Sequence, residues 1–117
     1  MVNAVLSGKK MSKDNTTVRI ERTDEGNYHS AFVYLHGNEI AHYYWSGEEK
    51  QWVIRLTDAM WQTPTTKSRL NALLSGVAQG TRLGLFQHDF KWYYTMGANN
   101  YKWTGDMLFM AYDPYFR

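Results

Sequence analysis

Trp61-Gln62-Thr63-Pro64-Thr65-Thr66-Lys67-Ser68-Arg69-Leu70-Asn71-Ala72-Leu73-Leu74-Ser75-Gly76-Val77 is the one stretch of this sequence that reads convincingly as a helix, and it divides the chain in two. Thr63 is a helix cap whose side-chain oxygen can take the first free N–H groups. Pro64 suits the first helical position, where an N–H would go unpaired. Thr65 competes as a cap one register later. Leu70, Leu73, Leu74 and Val77 recur at i, i+3, i+4 and i+7, one apolar stripe for a core. Gly76 or Gly80 is positioned to end the helix in a left-handed conformation.

Both flanks of this helix read as strand. Upstream, Thr16–Arg22 alternates with Val18 and Ile20 on one face, and Asp24-Glu25-Gly26-Asn27 is turn chemistry. Tyr28–His36 is aromatic and β-branched on both faces, as expected of a central strand. Gly37-Asn38 reverses the chain into Glu39–Trp45, and after the polar turn at residues 46–50 the strand Gln51–Thr57 follows. Downstream, Arg82–Gln87 and Phe90–Met96 form a hairpin turning near His88-Asp89. Phe90, Trp92, Tyr94 and Met96 lie on one face of it, Lys91, Tyr93 and Thr95 on the other. Tyr101–Tyr112 is extended and interrupted at Gly105-Asp106. The expected class is α+β, a mostly antiparallel twisted sheet in the order βββ(β)-α-βββ packed on one short helix. Residues 1–14 are expected as a flexible tail and 15–117 as a single domain. Met11-Ser12-Lys13 reads as a second start context, which leaves residues 1–10 in question as native chain.

Composition narrows the function. The chain has 117 residues, 44% of them apolar and 21% charged, too apolar for a disordered protein. It has no cysteine, so it has neither disulfides nor thiolate metal sites. No apolar run approaches the roughly 18–20 residues of a membrane span, and the opening segment is too short for a signal-peptide core. A cytoplasmic protein with no membrane partner is the expectation. The five Trp, nine Tyr and five Phe are more rings than one small core needs, so some must reach the surface. A net charge of +2 does not imply nucleic acid. Its distribution says more: residues 61–117 carry six Lys/Arg against three Asp/Glu, and residues 1–60 seven against eight.

The start of the helix gathers hydroxyls, two cations and an amide. Helix N-termini attract anions, so Thr65, Thr66, Lys67, Arg69 and Asn71 are candidate ligands for phosphate or another anion. Lys67 and Arg69 lie roughly 160–200° apart around a helix and cannot form one clamp, whereas Lys67 and Asn71 share a face. The same residues also read as plain capping chemistry, with Arg69 paired to a neighbouring strand. The glycines and GK[ST] of a phosphate-binding loop are absent.

At this segment the chain resembles a group of small proteins encoded by tailed bacteriophages, with a W-x-T-x-TT-K-x-RLN helix motif. The matching residues are Leu35-His36-Gly37-Asn38-Glu39-Ile40-Ala41, then Trp61 through Asn71 with Leu73-Leu74, then Phe86-Gln87 with Lys91-Trp92-Tyr93. The resemblance spans roughly residues 33–94. It implies a phage or prophage origin and brings no catalytic residue.

The aromatic runs Tyr43-Tyr44-Trp45 and Trp92-Tyr93-Tyr94 alternate across a strand, so one ring of each neighbouring pair faces away from the other. If the helix covers one sheet face, the other shows rings (Tyr43, Trp45, Trp61 and Tyr93 are the candidates) beside Arg55 and Lys91. That combination binds single-stranded nucleic acid, with bases on rings and phosphates on cations. The rings equally suit burial in a curled sheet, or a patch for a host or defence protein, since interfaces favour Tyr, Trp and Arg. His36, Glu39 and His42 flank one hairpin without the spacing of a metal site, and no nucleophile elbow is present. No catalytic residue, metal or cofactor is expected. The aromatic tail Tyr112-Asp113-Pro114-Tyr115-Phe116-Arg117 reads as a frayed end or as a contact in a homo-oligomer. The expected function is a small phage-encoded, non-enzymatic binding protein that contacts nucleic acid. The alternative is an inhibitor of a host or anti-phage defence protein.

Overall fold

The computed structural model of the protein describes residues 1–80 and 82–115. Its class is α+β. Two helices, α1 (Val2–Ser7) and α2 (Pro64–Gly76), accompany nine strands. The strands are β1 (Met11–Lys13), β2 (Thr16–Arg22), β3 (Tyr28–Leu35), β4 (Asn38–Ser46), β5 (Gln51–Thr57), β6 (Gly84–His88), β7 (Lys91–Met96), β8 (Asn99–Lys102) and β9 (Asp106–Met110). They form a six-stranded antiparallel sheet ordered β1-β2-β3-β4-β5-β9 and a three-stranded sheet β6-β7-β8.

The large sheet is the expected meander with two additions. β9 returns past the small sheet to pair with β5, setting Ile54 opposite Phe109 and Leu56 opposite Met107. Short hairpins hold the rest, and two of them turn on residue pairs with positive φ: Asp14-Asn15 and His36-Gly37. Both central residues of such a turn must adopt the left-handed region, which Asn, Asp and Gly tolerate best. The β3–β4 reversal therefore sits at His36-Gly37, one residue earlier than Gly37-Asn38. The β6–β7 turn is Asp89-Phe90 and puts Phe90 at φ 65°. Phe90 is consequently 92% exposed at a hairpin tip and does not share the packed face of Trp92 and Tyr94.

The inner face of the large sheet follows the register. Val18, Val33, Ala41 and Leu56 make one row, and Ile20, Ala31, Tyr43, Ile54 and Phe109 the next. A bulge where Val33 pairs with Ala41 but Tyr34 with Glu39 leaves Ile40 as the extra residue, so Ile40 and Ala41 are both buried. Onto this face pack Leu70, Leu73 and Leu74 of α2 and Val77 just after it, together with Leu85, Trp92 and Trp103 from the small-sheet side, in one apolar cluster. Each fully buried aliphatic of this stripe contributes roughly 1.5–3 kcal/mol.

Two expectations are corrected here. Residues 1–14 are not a loose tail. α1 buries Val5 and Leu6, the Tyr28 hydroxyl donates to the Val5 carbonyl, and β1 pairs with β2. The anchor is the Val5-Leu6 pair, too short an apolar run to be legible as a helix. Gly76 does not end α2 in a left-handed turn. It is the last helical residue and is followed by Val77 at φ −114°. A Cβ on Gly76 would lie 2.6 Å from Val2 Cγ1, so the glycine lets α1 approach α2.

Candidate nucleic-acid interface

The residues of the helix motif separate in three dimensions. Thr63 caps α2 as expected, its Oγ1 accepting from the Thr66 N–H at 3.1 Å. The Thr66 hydroxyl meets the same oxygen at 3.0 Å and is buried. Thr66 is therefore a capping residue. Arg69 turns away from the helix start, its Nε donating to Thr16 Oγ1 of β2 at 2.9 Å. Asn71 clamps the small sheet: its Nδ2 donates to the Leu85 carbonyl at 3.0 Å and its Oδ1 accepts from the Leu85 N–H at 2.6 Å. With both ends of its amide engaged by the Leu85 backbone, Asn71 is a joint between α2 and β6. Thr65 lies exposed at the rim of a pocket, and Lys67 is half-buried.

The aromatic candidates divide as well. Tyr43 belongs to the core at 1% exposure, because its position faces α2; its hydroxyl donates to the Tyr112 carbonyl and its ring packs on Tyr28 and Trp52. Trp45 and Trp61 are exposed at 51% and 63%, far enough to offer ring surface. Arg55 lies on the outer face of the large sheet, 3.1 Å from Asp106 in an exposed ion pair that holds its guanidinium charged. The outer row there is Arg19, Phe32, His42, Arg55 and Leu108. Phe32 stacks on His42 at 4.2 Å, His42 stacks on Tyr44 at 4.4 Å, and Arg19 lies 5.8 Å from the centre of the Tyr34 ring. Burial among these rings lowers the His42 pKa, against a smaller opposing pull from Glu21; Arg55 and His29 add to the lowering.

Lys91 and Tyr93 are the two expected residues that do converge, on the small sheet. Its register sets Phe86 opposite Tyr93 and Tyr93 opposite Lys102, with His88 opposite Lys91 and Thr95 opposite Asn100. Because side chains alternate, all of these project from one face, while Leu85, Trp92 and Tyr94 project from the other toward the core. Phe86 and Tyr93 stack at 5.6 Å with an interplanar angle of 23°. With His88, Asn100 and Lys102 they line a shallow groove of about 330 Å³. None of the residues of β6, β7 or β8 is acidic, so Lys91 and Lys102 have no carboxylate beside them in the sheet; Asp89, in the turn, pairs with His88 at 3.3 Å.

Phe86, which belongs only to the phage-family pattern, and Lys102 are not among the residues expected at a site. A two-residue turn at Gly97-Ala98 would have placed Lys102 opposite Tyr93, since that turn length fixes the register. Among the described residues no group of three or more His, Asp or Glu is gathered to hold a metal ion, and His36, Glu39 and His42 are not such a group. Of the C-terminal tail, Tyr115 is exposed with its hydroxyl 3.3 Å from the Tyr28 carbonyl, and Phe116 and Arg117 lie outside the described residues. No helix among the described residues is long and apolar enough to cross a membrane.

Neither a curated protein nor a solved structure matches the chain. The profile of one phage protein family, described as Kyanoviridae Gp96 protein, matches residues 1–110, which include α1 and β1 as well as both sheets. The chain belongs to the Kyanoviridae Gp96 protein family.

Proposed function

We propose that this small phage protein binds single-stranded nucleic acid on the open face of its three-stranded sheet. The observation that carries the reading is the stacked pair Phe86–Tyr93 with Lys102 across the sheet from Tyr93 and Lys91 two residues from it on the same face, in strands with no acidic residue. Stacking a base on an aromatic side chain contributes roughly 1–3 kcal/mol, and it is indifferent to sequence because every base has a π-face. The two lysines meet phosphates as point charges, and Thr95 and Asn100 add hydrogen-bonding groups at the groove's end. Thr65, Lys67 and Arg55 lie off this face and take no part.

The test is fluorescence anisotropy with labelled single-stranded DNA and RNA oligonucleotides over a series of salt concentrations. Binding is expected to weaken as salt rises, with a log–log slope of roughly −0.7 per phosphate contact, so near −1.4 for two lysines. Absence of binding to either strand type at low salt removes the reading.

One observation favours a second reading, an inhibitor of a host or defence protein. Phe90 at 92% and Met60 at 95% exposure stand on hairpin and loop tips, and Trp61 is beside Met60. Large apolar side chains held out in this way suit the pockets of a protein partner. A salt-resistant, stoichiometric complex with one host protein, lost on Phe90→Ser, distinguishes it from the first.

A further inference from the structure

A second pocket is distinct from the small-sheet groove. It has a volume of about 530 Å³ and lies where the β3–β4 turn, the β5–α2 connection and the first turn of α2 meet. Such a volume falls within the range of small-molecule sites. Leu35, Ile40 and Ala59 form apolar wall, Thr65 stands at the rim, and Trp61 contributes an indole that is 63% exposed. Asp58 also lines it and is 5% exposed.

Asp58 accepts three hydrogen bonds: from the Met60 N–H to Oδ1 at 2.8 Å, and from Gln62 Nε2 and Trp103 Nε1 to Oδ2, each at 3.0 Å. Three donors on two oxygens fit an ionised, acceptor-only carboxylate, and such a group has about four lone-pair sites, so one on Oδ1 is spare. All three donors are neutral. Among the described residues Asp58 forms no ion pair, and the lining of the pocket contains no lysine or arginine; its other titratable side chain is His36, at the β3–β4 turn, and the charge balance of the pocket is that with this imidazole neutral. The start of α2 brings roughly half a positive charge to the same region, against the full negative charge of the carboxylate. The balance is negative. The pocket therefore disfavours phosphate and other anions, contrary to what the helix start alone would imply.

We infer that this pocket binds an alkylammonium group. The carboxylate attracts the charge, the Trp61 indole offers a π-face to it, and the aliphatic wall takes the alkyl stem. The same chemistry is presented by a free small amine and by a lysine side chain of a peptide.

The probes are n-butylammonium, 1-butanol and butyrate at matched ionic strength, and a short end-blocked Ala-Lys-Ala peptide. Binding is followed in the intact protein by the Trp61 indole and Ala59 amide NMR signals. Saturable shifts on the order of tens of millimolar or tighter are expected for n-butylammonium, with 1-butanol and butyrate weaker. A peptide that binds more tightly than the amine identifies a protein lysine as the source, and the reverse identifies a free amine. Trp61→Leu, at an exposed position, weakens the ammonium by roughly 2- to 30-fold. Thr65→Lys, which sets a cation at the rim, weakens it further and leaves 1-butanol unchanged. The inference is overturned if butyrate or 1-butanol binds as tightly as n-butylammonium, if no probe shifts these signals, or if Trp61→Leu leaves affinity unchanged.

Discussion

The protein exposes two sheet faces, and both carry rings beside cations. On the large sheet Phe32, His42 and Tyr44 stack in sequence, with Arg19 near Tyr34. There Asp106 is ion-paired to Arg55, and the carboxylate of Glu21 acts on His42 from the same face. On the small sheet the rings Phe86 and Tyr93 share a face with two lysines that both neighbour Tyr93, with no acid in the strands. The contrast teaches that a count of rings and cations does not identify a nucleic-acid surface. On the large sheet Arg55 already has Asp106 and Arg19 already lies against Tyr34, whereas the strands of the small sheet, the proposed surface, hold no acid; register decides this by choosing each cation's neighbour.

The largest effect expected concerns how the small sheet is held. Asn71→Leu fills similar volume but strips the partners from the Leu85 N–H and carbonyl. Each orphaned buried group costs roughly 1–3 kcal/mol, so urea unfolding should show a loss of about 2–6 kcal/mol for the two. Amide exchange at Leu85 should rise more than at Ile54 in the large sheet. Equal acceleration of both would show that the two sheets open as one unit.

Next comes the stacking surface. Tyr93→Leu keeps an apolar side chain but removes the ring, and oligonucleotide affinity should fall by roughly 1–3 kcal/mol, a factor of about 5 to 150. Tyr34→Leu on the large sheet is the matched control and should leave affinity within about twofold. If both substitutions weaken binding alike, the two faces act together and the contrast between them is lost.

A smaller effect separates the faces by pH. Burial among rings favours neutral His42, so its folded pKa lies below 6.5. The unfolded chain then takes up the proton first as pH falls. His42 thus contributes stability that is complete above pH 6.5 and lost as pH drops through the folded pKa. Chemical denaturation of His42→Phe should show a flatter pH profile over that window. The smallest effect is at Arg55→Leu, where an exposed ion pair with Asp106 is removed. Its cost should be under about 1 kcal/mol in thermal unfolding, and smaller still in high salt.

Much of the fold was legible because periodicity and turn chemistry are local. Thr63-Pro64 gave the start of α2, Leu70, Leu73, Leu74 and Val77 gave its buried face, and four strands of the meander followed from alternation. The errors arose where a distant neighbour decides. Val5 and Leu6 are too few to signal a helix, and Tyr28, α2 and β2 hold them in place. Tyr43 looked available because β4 shows rings on both faces, but its own position faces α2. For Arg69 the alternative reading, a partner on a neighbouring strand, is the one the structure follows, at Thr16, and Asn71 is taken up by Leu85; both partners lie on strands remote in sequence. Lys91 and Tyr93 were legible as one strand face. Their companions Phe86 and Lys102 required the register of three strands at once.

The most direct test of the central claim pairs two charge reversals in one titration series. Lys91→Glu with Lys102→Glu, and Arg19→Glu with Arg55→Glu, are compared with the unaltered protein for binding a single-stranded oligonucleotide across salt. The account predicts that the lysine pair abolishes binding and its salt dependence, while the arginine pair leaves the salt slope unchanged. Loss of binding in the arginine pair with retention in the lysine pair would contradict it.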